Sequence, residues 1–140
     1  MNYILFEDQY SSNLEPFTIN HASFEVRCGA FTNIDRVINL LKSSDKLYLI
    51  VRPELSMLIR EKYPDYIVNP DVLPPGHYIN GATIWNSETI SNLDYSNSYS
   101  YHGILISTYS KDSLKFIDFF DTLNKLNRLS IDIKAIHFNY

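Results

Sequence analysis

Apolar residues recur along this chain with two different periods, and the switches between them outline a fold. "YILF" (3–6) is a short continuous apolar run ended by Glu7 and Asp8, and it reads as a buried strand. From Phe31 onward, Ile34, Val37, Ile38 and Leu41 fall at helical spacing, with Thr32 or Asn33 available as the N-cap. "KLYLIV" (46–51) is again apolar throughout and too short for a helix, so a strand is expected. Pro53 suits the first turn of a following helix, whose inner face would be Leu55, Leu58, Ile59 and Tyr63. "YIVNPDVLPPG" holds a short strand and then a proline-rich loop. "HYINGATIWN" (77–86) predicts a strand, or a hairpin turning at Asn80-Gly81.

Residues 87–100 are rich in Ser, Asn and Tyr and predict a loop with at most one helical turn. "YHGILIST" (101–108) predicts a strand. The spacing predicts the longest helix over 110–127, capped by Ser110, with Leu114, Ile117, Phe120, Leu123 and Leu126 inward. "LSIDIKAIHF" (129–138) alternates and closes the pattern as a strand. Strands alternating with helices through short links imply an α/β fold: a Rossmann-like, largely parallel sheet flanked by helices. No linker or repeat divides the chain, so residues 1–140 are expected to form one domain.

Bulk composition narrows the function classes. A chain of 140 residues with 45% hydrophobic content builds its own core without a disulfide or metal staple. The net charge of −4 argues against nucleic acid as a partner, since a phosphate-backbone binder carries a basic face. Cys28 is the single cysteine, so no internal disulfide forms and a reducing compartment is the simplest reading. "MNYILFEDQY" has no basic leader segment, and no apolar run approaches the ~20 residues that span a bilayer. A cytoplasmic protein with no membrane partner is expected.

Candidate chemistry concentrates in "LEPFTINHASFEVRCG" (14–29), the connection between the first strand and the first helix. In α/β sheets ligands sit outside the carboxyl ends of strands, and this connection is long for its class. Arg27 suits bidentate pairing with a phosphate, though an internal pair with Glu25 or Glu7 explains it equally well. Thr18 and Asn20 offer hydrogen bonds to a base or sugar, and His21 a proton donor near neutral pH. Glu7 and Asp8 suit a Mg²⁺ at the strand end, or simply cap the turn. There is no Walker A sequence, no G-x-G-x-x-G, no G-x-S-x-G and no His/Cys spacing of a metal site.

These residues also carry a resemblance. "ILFED", "LEPFT" and "EVRCG" resemble the opening of a family of sugar-nucleotidyltransferase-like proteins, related to N-acetylglucosamine-1-phosphate uridyltransferases and glucose-1-phosphate thymidylyltransferases. Pro16, Phe17 and Thr18 stand where that family has P-L-T, and Glu25, Val26, Arg27 and Gly29 match its E-L-R-x-G. "YINGATIWN" is similar to I-N-G-R-x-L-P-N, which brings in Asn80 and Gly81. The resemblance implies a nucleotide-diphospho-sugar transferase-like fold, a nucleotide or nucleotide sugar as ligand, and transfer of a nucleotidyl group to a sugar 1-phosphate with Mg²⁺. Arg27 and His21 would be the catalytic pair. Pro16, Thr18, Asn20, Glu25, Gly29, Asn80 and Gly81 would line the substrate site, and Glu7 with Asp8 would hold the metal.

The departures from the family pattern bear on activity. The glycine-rich G-x-G-T-R loop is replaced by "FEDQYSSNLEPFT", and no Lys occurs between residues 9 and 41. Asn20, His21 and Ala22 replace Thr-Arg-Pro, and Ala82 stands for the Arg of I-N-G-R. Phosphoryl-type chemistry depends on positioned positive charge, so a non-catalytic assembly or regulatory module on the same fold is the alternative. Hexapeptide repeats of a β-helix domain often follow in such proteins and residues 1–140 hold none, so the chain is expected to be either a stand-alone domain or a fragment of something longer, and a homo-oligomer stays open because symmetric dimers are common among such domains.

Overall fold

A computed structural model of the chain describes residues 1–7, 21–101, 104–129 and 131–132. The strands are β1 (Asn2–Phe6), β2 (Arg27–Cys28), β3 (Phe31–Thr32), β4 (Lys46–Ile50), β5 (Ile67–Val68), β6 (Val72–Leu73), β7 (Gly76–Asn80), β8 (Tyr99–Tyr101), β9 (Ile104–Ser110), β10 (Leu114–Lys115) and β11 (Ile131–Asp132). The helices are α1 (Asn33–Leu40), α2 (Ser56–Lys62), α3 (Ser87–Ser91) and α4 (Phe119–Leu129). Seven strands form the central sheet in the order β11-β8-β9-β7-β1-β4-β5. The run β5-β4-β1-β7 is parallel throughout, and β9 is antiparallel to both its neighbours. The chain therefore builds outward from β1 through β4 to β5, then returns to place β7 on the other side of β1.

Two apolar layers cover the sheet. On one face Ile34 and Val37 of α1 and Ile59 of α2 pack with Leu5, Leu47, Leu49 and Ile79. On the other, Phe119 and Leu123 of α4 pack with Ile4, Phe6, Ile50 and Tyr78. Strands buried on both faces lose the alternation of a half-exposed strand, which is why "YILF" and "KLYLI" read as continuous apolar runs. α1 starts where its cap allows: the Thr32 hydroxyl accepts from the Asp35 N–H, while the Asp35 carboxylate accepts from the Thr32 N–H. Among the described residues no helix is long and apolar enough to cross a membrane.

Three sequence expectations need correction. "HYINGATIWN" forms no hairpin at Asn80-Gly81; β7 is fully buried and lies parallel to β1. The helix expected over 110–127 begins at Phe119, because β9 continues to Ser110 opposite Gly76 and Leu114–Lys115 pairs with Val72–Leu73. Ile117, assigned inward by helical spacing, is 85% exposed as a result. Residues 87–100 hold α3 and also the start of β8. Of the strand expected over 129–138, Ile131–Asp132 pairs with β8, residue 129 ends α4, and residues 130 and 133–138 lie outside the described residues.

Candidate functional site

Because β4, β1 and β7 are parallel and in register, Ile50, Phe6 and Asn80 end at one edge of the sheet. The strand order reverses between β1 and β7 at this edge, the position where open α/β sheets bind ligands. The chain leaves each strand there through a residue with a defined task.

Glu7 follows β1 and is 2% exposed. Its Oε1 accepts from the Ser23 N–H at 3.1 Å and from Arg52 Nη1 at 2.5 Å, and its Oε2 accepts from the Arg52 N–H at 3.1 Å. Arg52, two residues beyond β4, also reaches the His21 carbonyl through Nη2 at 3.3 Å. One carboxylate thus ties together the ends of β1 and β4 and the segment that returns at residue 21. Asn69, just past β5, has φ of 47°, a conformation asparagine tolerates, and its amide both accepts from the Val51 N–H and donates to the Val51 carbonyl.

β7 ends in a braced turn. The Asn80 Oδ1 accepts from the Ala82 N–H at 2.8 Å, its Nδ2 donates to the Leu105 carbonyl, and its carbonyl accepts from Trp85 Nε1. Gly81 donates its N–H to the Phe6 carbonyl, and a Cβ there would stand 2.7 Å from the Phe24 Cβ. Only a glycine allows this approach of β7's exit to β1 and to the returning segment. Asn33, the first residue of α1, donates from Nδ2 to the Gly81 carbonyl at 2.9 Å. The Asn33 Oδ1 and the Ser23 Oγ are buried at this edge without a hydrogen-bond partner.

The other expected site residues are placed as follows. Arg27 is exposed and donates from Nη1 to the Ala30 carbonyl across the β2–β3 turn, where Gly29 takes a φ of 76°. It forms neither of the internal pairs expected from sequence: Glu7 is bound to Arg52 and Glu25 to Lys62. Glu25 is buried, with Oε1 accepting from the Ala22 N–H and Oε2 from Lys62 Nζ at 3.0 Å. Burial, followed by the charge of Glu25, raises the Tyr63 phenol well above its ordinary value. His21 is half-buried beside Arg52. Pro16, Thr18, Asn20 and Asp8 lie outside the described residues.

The structure therefore gathers Glu7, His21, Asn80 and Gly81 at one edge, keeps Arg27 and Gly29 in their own hairpin, and ties Glu25 to Lys62 of α2. Sequence reasoning missed Arg52 and Asn33. The signal for Arg52 was its position: a basic residue directly after the second apolar strand of an α/β pattern falls on the carboxyl edge. The Mg²⁺ expectation meets a chemical obstacle at Glu7, whose two oxygens already accept three donors and face a guanidinium. Among the described residues no three His, Cys, Asp or Glu side chains are grouped to hold a metal ion.

Comparison with known proteins adds a single finding. A family profile described as sugar nucleotidyl transferase matches residues 3–139. No curated protein matches the chain.

Proposed function

The chain belongs to the sugar nucleotidyl transferase family, and from that premise we propose that it binds a nucleotide or nucleotide sugar at the carboxyl edge of β4, β1 and β7. The observation that carries this reading is the Glu7–Arg52 pair, which joins the ends of β1 and β4 next to the β1–β7 point where strand order reverses, with Gly81 and Asn33 at that point. In the reading, Arg52 and the backbone at Gly81 form the floor. His21 stands beside that floor, and Pro16, Thr18 and Asn20 are candidates from the sequence that lie outside the described residues.

Transfer is a further step. A sugar 1-phosphate oxygen would attack the α-phosphorus in line, a new P–O bond would form, and pyrophosphate would leave. That step needs positive charge aimed at the phosphates. Arg52 shares its charge with Glu7, and Arg27 is turned into its own hairpin. This supports the second reading, binding without transfer in an assembly or regulatory module. Mg²⁺ would enter either reading through Asp8 rather than Glu7.

Thermal unfolding against UTP, dTTP, sugar 1-phosphates and the matching nucleotide sugars, with and without Mg²⁺, tests both. A ligand at 100 times its Kd adds about 2.7 kcal/mol, a rise on the order of 10 °C in a domain of this size. The expected result is a shift with at least one nucleotide compound that Arg52→Lys reduces and Arg27→Ala leaves intact. Absence of a shift with every nucleotide would overturn the binding reading. Release of pyrophosphate from the triphosphate that shifts would select transfer over the second reading.

A further inference from the structure

At the amino ends of β1 and β7, about 13 Å along β1 from Glu7, the same layer that holds α1 contains a different pocket. It encloses about 330 Å³, within the usual range for small-molecule sites. One wall is aromatic. The His77 ring stacks on Tyr3 at 5.6 Å and contacts Tyr95 at 5.1 Å, and Tyr109 backs both His77 and Tyr95. Leu40, Ile90 and Leu93 make the wall opposite apolar.

His77 is the unusual member. It is 4% exposed and lines this pocket. Burial holds its pKa below the ordinary value, with Asp94 acting in the opposite direction. It therefore meets a ligand at neutral pH as an uncharged ring.

Lys42 is the lysine that lines this pocket, and Asp45 and Asp94 are the carboxylates near it. Asp45 lies 3.4 Å from the Met1 ammonium and accepts the Lys42 N–H, so its charge has a counterpart. The Lys42 side chain has no ion pair among the described residues. Asp94 is occupied by Tyr99 and by the N–H groups of Ser96 and Asn97, which hold its carboxyl down to about 2. A lysine without an ion pair among the described residues, set beside a cluster of rings, suits a ligand with one negative charge and one ring.

We propose that this pocket is a second ligand site, separate from the carboxyl edge, for a small aromatic carboxylate. The ring lies against Tyr3, His77 and Tyr95 and the carboxylate meets Lys42 Nζ. His77 donates or accepts at the ring-bound ligand, and Ser87 offers a hydroxyl at the rim. The site rests on none of the argument for nucleotide binding.

Benzoate is the probe, with acetate as the anion alone and benzyl alcohol as the ring alone, followed by NMR of the His77 imidazole and the tyrosine rings. Benzoate is expected to perturb His77, Tyr3 and Tyr95 and to bind at least tenfold tighter than either fragment. Lys42→Met should weaken benzoate about tenfold and leave benzyl alcohol unchanged. Tyr95→Ala should weaken both ring compounds and leave acetate unchanged. Both substituted side chains are exposed, so the variants keep the fold, and unchanged amide spectra away from the pocket verify it. Benzoate perturbing only the carboxyl edge, perturbing nothing at millimolar concentration, or binding no better than acetate would each overturn the proposal.

Discussion

At the scale of single residues, the carboxyl edge is organised by one buried carboxylate. Removing the charge of Glu7 leaves the Arg52 guanidinium facing an uncharged group and forces an amide donor toward one of the three N–H groups that Glu7 accepts. Breaking a buried pair by changing one partner costs about 3–5 kcal/mol, and less where the partner keeps some solvent contact, as Arg52 does. Glu7→Gln is therefore expected to lose about 2–4 kcal/mol in urea unfolding; a loss below ~0.5 kcal/mol would contradict the anchoring role. Arg27 shows the opposite case. Its guanidinium serves a two-residue hairpin at the surface, and replacing it costs the hairpin a single hydrogen bond.

At the scale of elements, α1 depends on a reciprocal cap that also ends β3. Thr32→Ala removes the acceptor for the Asp35 N–H and is expected to destabilise by about 1 kcal/mol, readable as a lower urea midpoint at constant slope. This cap was legible in the sequence, and so were β1, β4 and the two helices beside them. Local signals determine these elements: a hydroxyl before an apolar helix pattern, or an apolar run too short for anything but a strand. The start of α4 was not legible. Leu114 and Ile117 satisfy helical spacing, but pairing of β9 with β7 and of β10 with β6 keeps residues 104–115 largely extended. Those partners lie between about 28 and 43 residues away in the chain, beyond the reach of any local pattern. Arg52 was hidden for the same reason, since its meaning depends on β4 lying beside β1. The Asn80-Gly81 pair left a strand and a hairpin both open, and the strand is what forms, because a turn-forming dipeptide says nothing about whether the next strand pairs back or the chain leaves the sheet.

At the scale of the whole molecule, stability carries a trace of His77. Its folded pKa lies below the ordinary value of 6.5, mainly through burial. The full contribution is present above pH 6.5. As pH falls below that value the unfolded chain takes up a proton that the folded one refuses, and stability drops by at most about 1.4 kcal/mol per pH unit until the lowered pKa is reached. Denaturation midpoints between pH 7.5 and 5.5 should follow that slope, and His77→Gln should flatten it; an unchanged slope in the variant would assign the dependence elsewhere. The arrangement of the sheet has a consequence of another kind. β1 is made first and ends in the middle, with β4 on one side and β7 on the other. A chain emerging from the ribosome completes the first of these pairings at residue 50 and the second only at residue 80. Throughout that interval the apolar strand Asn2–Phe6 presents one open edge, a template for any passing strand. Between the emergence of β4 and that of β7 the strand is covered on one side only, and a pause in that interval keeps its second edge open for as long as the pause lasts.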